Sequence, residues 1–213
     1  MFNQRGGKRK SAEPQVLERT ELGNAAFDLN HRQRYATDEE IEWVRQTTAE
    51  LPAGSLVIML GAGPGVLLAA AKDGNPTMHA FVVDIDTCDY LTAHLRHYGP
   101  QYADNVFTLV GDSAAVGTRY EGRTADLLII DADHTERGVF NDIVSWLGHV
   151  SPGGLILCHD YDATGTWFAD QEQYPGVRVA VDKLFRNYVK LGRVGTSMIV
   201  KNEIQWEDDV NIP

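Results

Sequence analysis

The chain has 213 residues, 43% of them hydrophobic, and its 30 Asp and Glu outweigh 19 Lys and Arg for a net charge of −11. That length suits a single domain with a large core, and the acidic balance excludes a general nucleic-acid binder, because phosphate contacts need Lys and Arg. No apolar run approaches the roughly 20 residues of a membrane helix, no signal-peptide stretch is visible, and two cysteines, Cys88 and Cys158, make no disulfide framework; a cytoplasmic setting is expected.

In chain order, residues 1–13 hold Arg5, Lys8, Arg9 and Lys10 beside Gly6 and Gly7 and read as a disordered, solvated basic tail. One domain is expected over 14–201, followed by an acidic tail over 202–213. Thr37-Asp38-Glu39-Glu40 has the form of a capping box opening a helix to about Glu50. Leu56–Leu60 reads as the first strand and 65–72 as a helix. His79–Asp84 is a second strand, Thr87–Tyr98 a helix, Val106–Val110 a third strand and Asp126–Asp131 a fourth. The spacing of Val139, Phe140, Ile143, Val144 and Leu147 predicts a helix over Glu136–Val150, with Trp146 in packing or partner contact. Pro152-Gly153-Gly154 reads as a turn into a fifth strand, Gly154–Cys158. Gly176–Val189 reads as a helix with Val177, Val181, Leu184 and Tyr188 inward. Tyr188–Arg193 and Ser197–Lys201 read as a closing antiparallel hairpin.

Strands that alternate with helices imply an α/β fold, a doubly wound parallel sheet covered on both faces. Ligands in such sheets sit beyond the carboxyl ends of the strands. The informative residues are therefore Gly61–Gly65, Asp84, Asp112, Asp131–His134 and His159–Asp162, and nearly every strand ends in an acid. The loop Gly61-Ala62-Gly63-Pro64-Gly65, between a buried strand and a helix, brings bare amides close to a nucleotide-like cofactor. It does not by itself choose the cofactor. A nicotinamide dinucleotide would use the same loop, although Val66 stands where the third glycine of G-x-G-x-x-G belongs.

The wider pattern, roughly residues 38–201, resembles the class I S-adenosylmethionine-dependent methyltransferases. The resemblance implies a Rossmann-like seven-stranded sheet of order 3-2-1-4-5-7-6 with strand 7 antiparallel. It places Gly61, Ala62, Gly63 and Gly65 around the amino-acid end of the cofactor, Asp84 and Ile85 at the ribose, and Asp112 and Ser113 at the adenine. The family's usual acid two residues before the first glycine is replaced by Met59, with Asp131 and Asp133 as substitutes. The segments Leu128–His134, Gly153–Tyr161 and Gly176–Asp182 are similar to metal-dependent O-methyltransferases of small molecules, natural products and sugars.

That closer resemblance implies a divalent metal, magnesium or manganese, on Asp131, His159 and Asp160. It also puts His134 where catechol-type enzymes carry a basic lysine. A histidine with a pKa near neutrality there would act as general base on a hydroxyl. Other readings stand beside these: Asp131 and Asp133 as caps of the following helix, His159 as a core histidine, Asp160 as a turn residue and His134 as an exposed loop residue. Tyr161, Trp167 and Phe168 would line a substrate pocket or only cover the sheet edge, and 30–35 precede the first helix. The expected activity is O-methylation of a small hydroxylated substrate, with no membrane partner and with homo-oligomer formation left open. The competing readings are an NAD-dependent oxidoreductase and a catalytically silent module on the same fold.

Overall fold

Five consecutive apolar residues, Leu56–Leu60, form strand β1, and all five are buried. A strand apolar on both faces requires cover on both sides, and β1 lies at the centre of the sheet between β2 (His79–Asp84) and β4 (Ala125–Ile130). The structure, a computed structural model, describes residues 35–86, 91, 95, 96, 99–162 and 175–205. Within them a seven-stranded sheet has the order β3-β2-β1-β4-β5-β7-β6, with β3 at Val106–Val110, β5 at Val150–Cys158, β6 at Tyr188–Val194 and β7 at Ser197–Ile204. The first five are parallel neighbours, and β7 runs antiparallel to both β5 and β6. This is the order that the resemblance implied.

Alternate residues of β1 feed two separate cores. Val57 and Met59 pack with Ile41 and Val44 of α1 (Asp38–Glu50) and with Leu67–Ala71 of α2 (Val66–Gly74). Ile58 and Leu60 pack on the other face with α5 (Glu136–Trp146) and α6 (Pro175–Leu184), through Val139, Ile143, Trp146, Val177 and Val181. Each such aliphatic side chain taken from water contributes roughly 1.5–3 kcal/mol. Two short helices, α3 (Pro100–Ala103) and α4 (Ser113–Gly117), flank β3.

Four boundaries differ from the sequence expectation. Helix α5 ends at Trp146, and Leu147–His149 tightens into a 3-10 turn. Val144, expected inward, is exposed, whereas Trp146 is fully buried and donates from Nε1 to the Ser113 carbonyl at 2.9 Å. Pro152-Gly153-Gly154 lies inside β5, where a register shift against β4 between Ala125 and Leu127 absorbs it as a bulge. Helix α6 stops at Leu184, so Tyr188 opens β6 instead of facing inward from the helix; β7 continues through Ile204, into the stretch read as a tail. The basic tail, most of Thr87–Tyr98, Cys88, Trp167, Phe168, residues 30–34 and 206–213 lie outside the described residues. None of the helices among the described residues is long and apolar enough to cross a membrane.

Candidate active site

The carboxyl ends of β1, β2, β3 and β4 converge on one cleft of about 340 Å3. Its lining includes Gly61, Gly63, Asp84, Ile85, Asp112, Ser113 and Asp131, all predicted from sequence, together with Asp133. Gly61 carries a positive φ of 76°, and a Cβ there would overlap the Asp131 carbonyl oxygen, so the loop and the end of β4 touch backbone to backbone. Ala62 and Gly65 support the cleft without lining it. The Ala62 amide donates to Asp84 Oδ2 at 2.8 Å, and Gly65 starts α2 beneath Leu91. Asp84 Oδ1 accepts the Asp86 amide at 3.0 Å, so backbone donors fix the whole carboxylate. Ile85 is 71% exposed, an apolar platform beside that acid.

On the opposite wall Asp112 caps α4, accepting the Ala115 amide at 2.7 Å. The Ser113 hydroxyl donates to Asp142 of α5 in a short hydrogen bond. Asp142 is buried, and that burial, reinforced by Asp112 and Asp133 and opposed by Ser113, pushes its carboxyl up to about 6. Met59 is 1% exposed within the α1/α2 core and reaches no polar group of the cleft, whereas Asp131 and Asp133 both line it. Asp133 also holds the start of α5 by accepting the Thr135 amide at 2.7 Å, and Thr135 is the cap itself. The expectation that Asp131 or Asp133 caps the helix is thus corrected: Thr135 is the cap, and Asp133 braces it.

Beside the cleft two imidazoles alternate with two carboxylates. His134 Nε2 lies 3.6 Å from Asp131 Oδ1 and 3.2 Å from Asp160 Oδ2. His159 Nδ1 approaches the same two oxygens, at 3.1 and 3.3 Å. Strand ends explain the meeting. Asp131 and His159 follow the paired termini Ile130 and Cys158 of β4 and β5, and the His159 amide donates to the Ile130 carbonyl at 3.0 Å. Asp160 takes a left-handed φ of 54°, which turns the chain back so that its side chain joins the group.

Burial alone would lower the His134 pKa, but Asp131 and Asp160 outweigh it and raise it to about 9. The sequence expectation of a base near neutrality is therefore corrected: in this arrangement His134 holds its proton at neutral pH. His159, only 4% exposed, is likewise held well above its ordinary range, burial being overcome by Asp131, Asp160 and Glu40. Asp160 is depressed below the usual carboxylate range; the two histidines prevail over its burial.

Glu40 is the residue that sequence reasoning missed. It was legible only as the closing acid of a capping box, three residues after Thr37, yet it is fully buried. Its Oε1 accepts from the Thr196 amide at 3.1 Å, Thr196 Oγ1 at 2.8 Å and Ser197 Oγ at 2.6 Å, while Oε2 faces His159 Nε2 at 3.6 Å. Burial would raise its pKa, but His159, Ser197 and Thr37 bring it down to about 2. His149 Nε2 bonds the Gly117 carbonyl at 2.9 Å, and Tyr161, expected at a substrate pocket or over the sheet edge, donates to Asp182 at 2.9 Å.

The arrangement fits the two groups that the sequence suggested. The bare Gly61–Gly63 backbone, the fixed Asp84 carboxylate and the Ile85 platform suit the amino-acid and nucleoside ends of S-adenosylmethionine. For a dication, Asp131, His134 and Asp160 bring one ligand atom each within 4.8 Å of one another. Neither nitrogen of the buried His159 completes a hydrogen bond, although Nδ1 adjoins two of those oxygens. The expected trio was Asp131, His159 and Asp160; the group that meets closely enough holds His134 in place of His159, whose Nδ1 adjoins the same two oxygens.

Comparison with known proteins agrees with the geometry. A family model described as a methyltransferase domain matches residues 58–161. The Podospora anserina methyltransferase PaMTH1, solved with S-adenosylhomocysteine, is 17% identical, with a TM-score of 0.66 over 88% of this chain and 88% of that one. The Bacillus cereus O-methyltransferase, also with S-adenosylhomocysteine, is 12% identical, with a TM-score of 0.57 over 88% of this chain and 93% of its own. The MycE methyltransferase of the mycinamycin pathway, with Mg and S-adenosylhomocysteine, is 20% identical, with a TM-score of 0.54 over 92% of this chain and 57% of its own. No curated protein sequence matches the chain. At these identities the solved structures speak for the fold alone, and the domain match identifies residues 58–161 as a methyltransferase domain, on the sheet that the resemblance to class I, S-adenosylmethionine-dependent methyltransferases implied.

Proposed function

We propose that the chain transfers a methyl group from S-adenosylmethionine to a hydroxyl of a small molecule, assisted by a divalent cation. The observation that carries this reading is the double position of Asp131, which lines the cofactor cleft and is also a corner of the histidine–carboxylate group. A methyl donor and a hydroxyl-activating group would therefore share one wall. The magnesium and the mycinamycin in the MycE structures belong to that protein, and they make a cation and a small-molecule acceptor reasonable here.

When bound, S-adenosylmethionine supplies an electrophilic methyl on a sulfonium, and a dication at Asp131, His134 and Asp160 would lower the pKa of the acceptor hydroxyl. The residues do the rest. Asp84, held by the Ala62 and Asp86 amides, presents its free lone pairs to a ribose diol. Asp112 and Ser113 border the adenine end, and Asp131 and Asp133 stand in for the acid missing at Met59. Methyl transfer is an in-line displacement, so rigid placement of the acceptor oxygen contributes several kcal/mol. His134 would accept a proton only in a state in which it does not itself ligate the cation and Asp131 and Asp160 are engaged elsewhere, because those two carboxylates are what keep it protonated.

Calorimetric titration with S-adenosylhomocysteine, with NAD as the parallel control, tests the cofactor. Micromolar binding of the former alone is the expected result. Binding of NAD alone would return the chain to the oxidoreductase reading, and binding of neither would favour a silent module.

A further inference from the structure

We infer that Glu40 is a positioning residue for the cation site: its buried carboxylate holds the His159 ring so that Nδ1 faces Asp131 and Asp160. The inference rests on the reading that those acids hold a dication.

A glutamate that only closes a capping box needs one bond, to the backbone of the capping residue. Glu40 makes that bond, from the Thr37 amide at 2.7 Å, and takes four more donors. These are Thr37 Oγ1 at 3.0 Å, Thr196 N at 3.1 Å, Thr196 Oγ1 at 2.8 Å and Ser197 Oγ at 2.6 Å. They come from the start of α1 and from the β6–β7 turn, so the carboxylate cannot swing. An exposed helix-capping acid would have no use for such a shell, and a fully buried carboxylate is costly without one.

The fixed group presents Oε2 to His159 Nε2 at 3.6 Å, while Nδ1 lies at 3.1 and 3.3 Å from Asp131 and Asp160. Turning the imidazole over would set ring carbons against all three carboxylates. Glu40 therefore favours one ring orientation through its charge, and Nε2, which faces it, is the nitrogen that would keep its proton when Nδ1 gives its lone pair to a cation. Ligating histidines elsewhere are commonly fixed through the opposite ring nitrogen in this way. With His134 Nε2 on the other side, the site offers two nitrogens and two carboxylate oxygens. Such a set favours manganese, cobalt or zinc over magnesium, which prefers oxygen.

The test uses the whole chain with Mn2+, Mg2+ and Zn2+. Wild type is expected to bind Mn2+ more tightly than Mg2+. In Glu40→Gln the Mn2+ affinity should fall roughly 10–100-fold while S-adenosylhomocysteine affinity stays at the wild-type level, because Glu40 does not line the cofactor cleft. Bound Mn2+ in His134→Gln should still show imidazole nitrogen coupling by pulsed EPR, from His159. In Zn2+-loaded wild type, 15N NMR should find His159 protonated at Nε2 and coordinated through Nδ1. An unchanged Mn2+ affinity in Glu40→Gln, or a His159 protonated at Nδ1, overturns the inference while the cation reading stands. Should Glu40→Gln fail to fold, the Zn2+ spectrum of wild type decides alone. If wild type binds none of the three ions, the cation reading falls and takes this inference with it.

Discussion

The carboxylate of Asp84 accepts the Ala62 amide at 2.8 Å, so the residue that ends β2 holds the loop that leaves β1. This one contact ties the proposed ribose anchor to the glycine loop. Asp84→Ala should therefore lower S-adenosylhomocysteine affinity by about 10- to 100-fold, the value of a hydrogen-bonded charged group. The fold should survive, because only two amides lose their acceptor. Calorimetry beside a thermal melt checks both, and undiminished affinity would remove the ribose assignment.

Gly61→Ala acts on the same loop by a different route. The new carbon would strike the Asp131 carbonyl and come within 2.9 Å of Ala132 Cα, both backbone atoms that cannot rotate away. The positive φ adds its own cost for alanine. A loss of about 2–4 kcal/mol is expected in urea unfolding, with cofactor affinity reduced as β1 and β4 part. A variant as stable as wild type would mean that the two strand ends move freely.

Asp142 makes stability depend on pH with a definite sign. Its folded pKa of about 6 lies above the ordinary value of 3.8, because it is buried and Asp112 and Asp133 stand near. Between those values the folded chain keeps a proton that the unfolded chain has released. This contribution is thus complete below about pH 4 and is lost as pH rises through about 6. Asp142→Asn keeps an acceptor for Ser113 and removes the charge, so it should raise stability at neutral pH by about 1–2 kcal/mol. Urea midpoints on either side of the window measure this; equal shifts at both would refute it.

Asp160→Asn separates the cation group from the cofactor cleft. Asparagine tolerates the left-handed φ of 54° well, so the backbone is undisturbed. Asp160 does not line the cleft, and S-adenosylhomocysteine affinity should hold. Mn2+ affinity should fall by about two orders of magnitude, within the loss of a charge-assisted ligand. The His134 pKa should drop from about 9, since one of its two carboxylate partners is gone. NMR titration of the imidazole follows this directly, and an unmoved pKa would show that Asp131 alone sets it.

What the sequence disclosed depended on how far each residue's partners lie along the chain. The parallel strands were legible because burial on both faces leaves uninterrupted apolar runs such as Leu128–Ile130. The cleft residues were legible because they follow those strands. For Trp146 packing and partner contact were both open from sequence, because the choice depends on Ser113, thirty-three residues earlier. Glu40 shows the extreme case: local spacing revealed a cap, while its burial depends on Thr196 and Ser197, 156 and 157 residues away. The His134 pKa was misjudged for a related reason, since Asp160 reaches it only through the turn after β5.

That long reach has a consequence for biogenesis. The glycine loop, Asp84 and Asp112 depend on strands complete by residue 130, whereas Glu40 obtains most of its donors from Thr196 and Ser197. During synthesis the nucleoside cleft can form while the acid of the first helix still waits for the closing hairpin. A nascent chain would thus complete the cleft at Asp84 and Asp112 before the corner of Glu40 and His159 is assembled, and that corner would close only once β6 and β7 have been made.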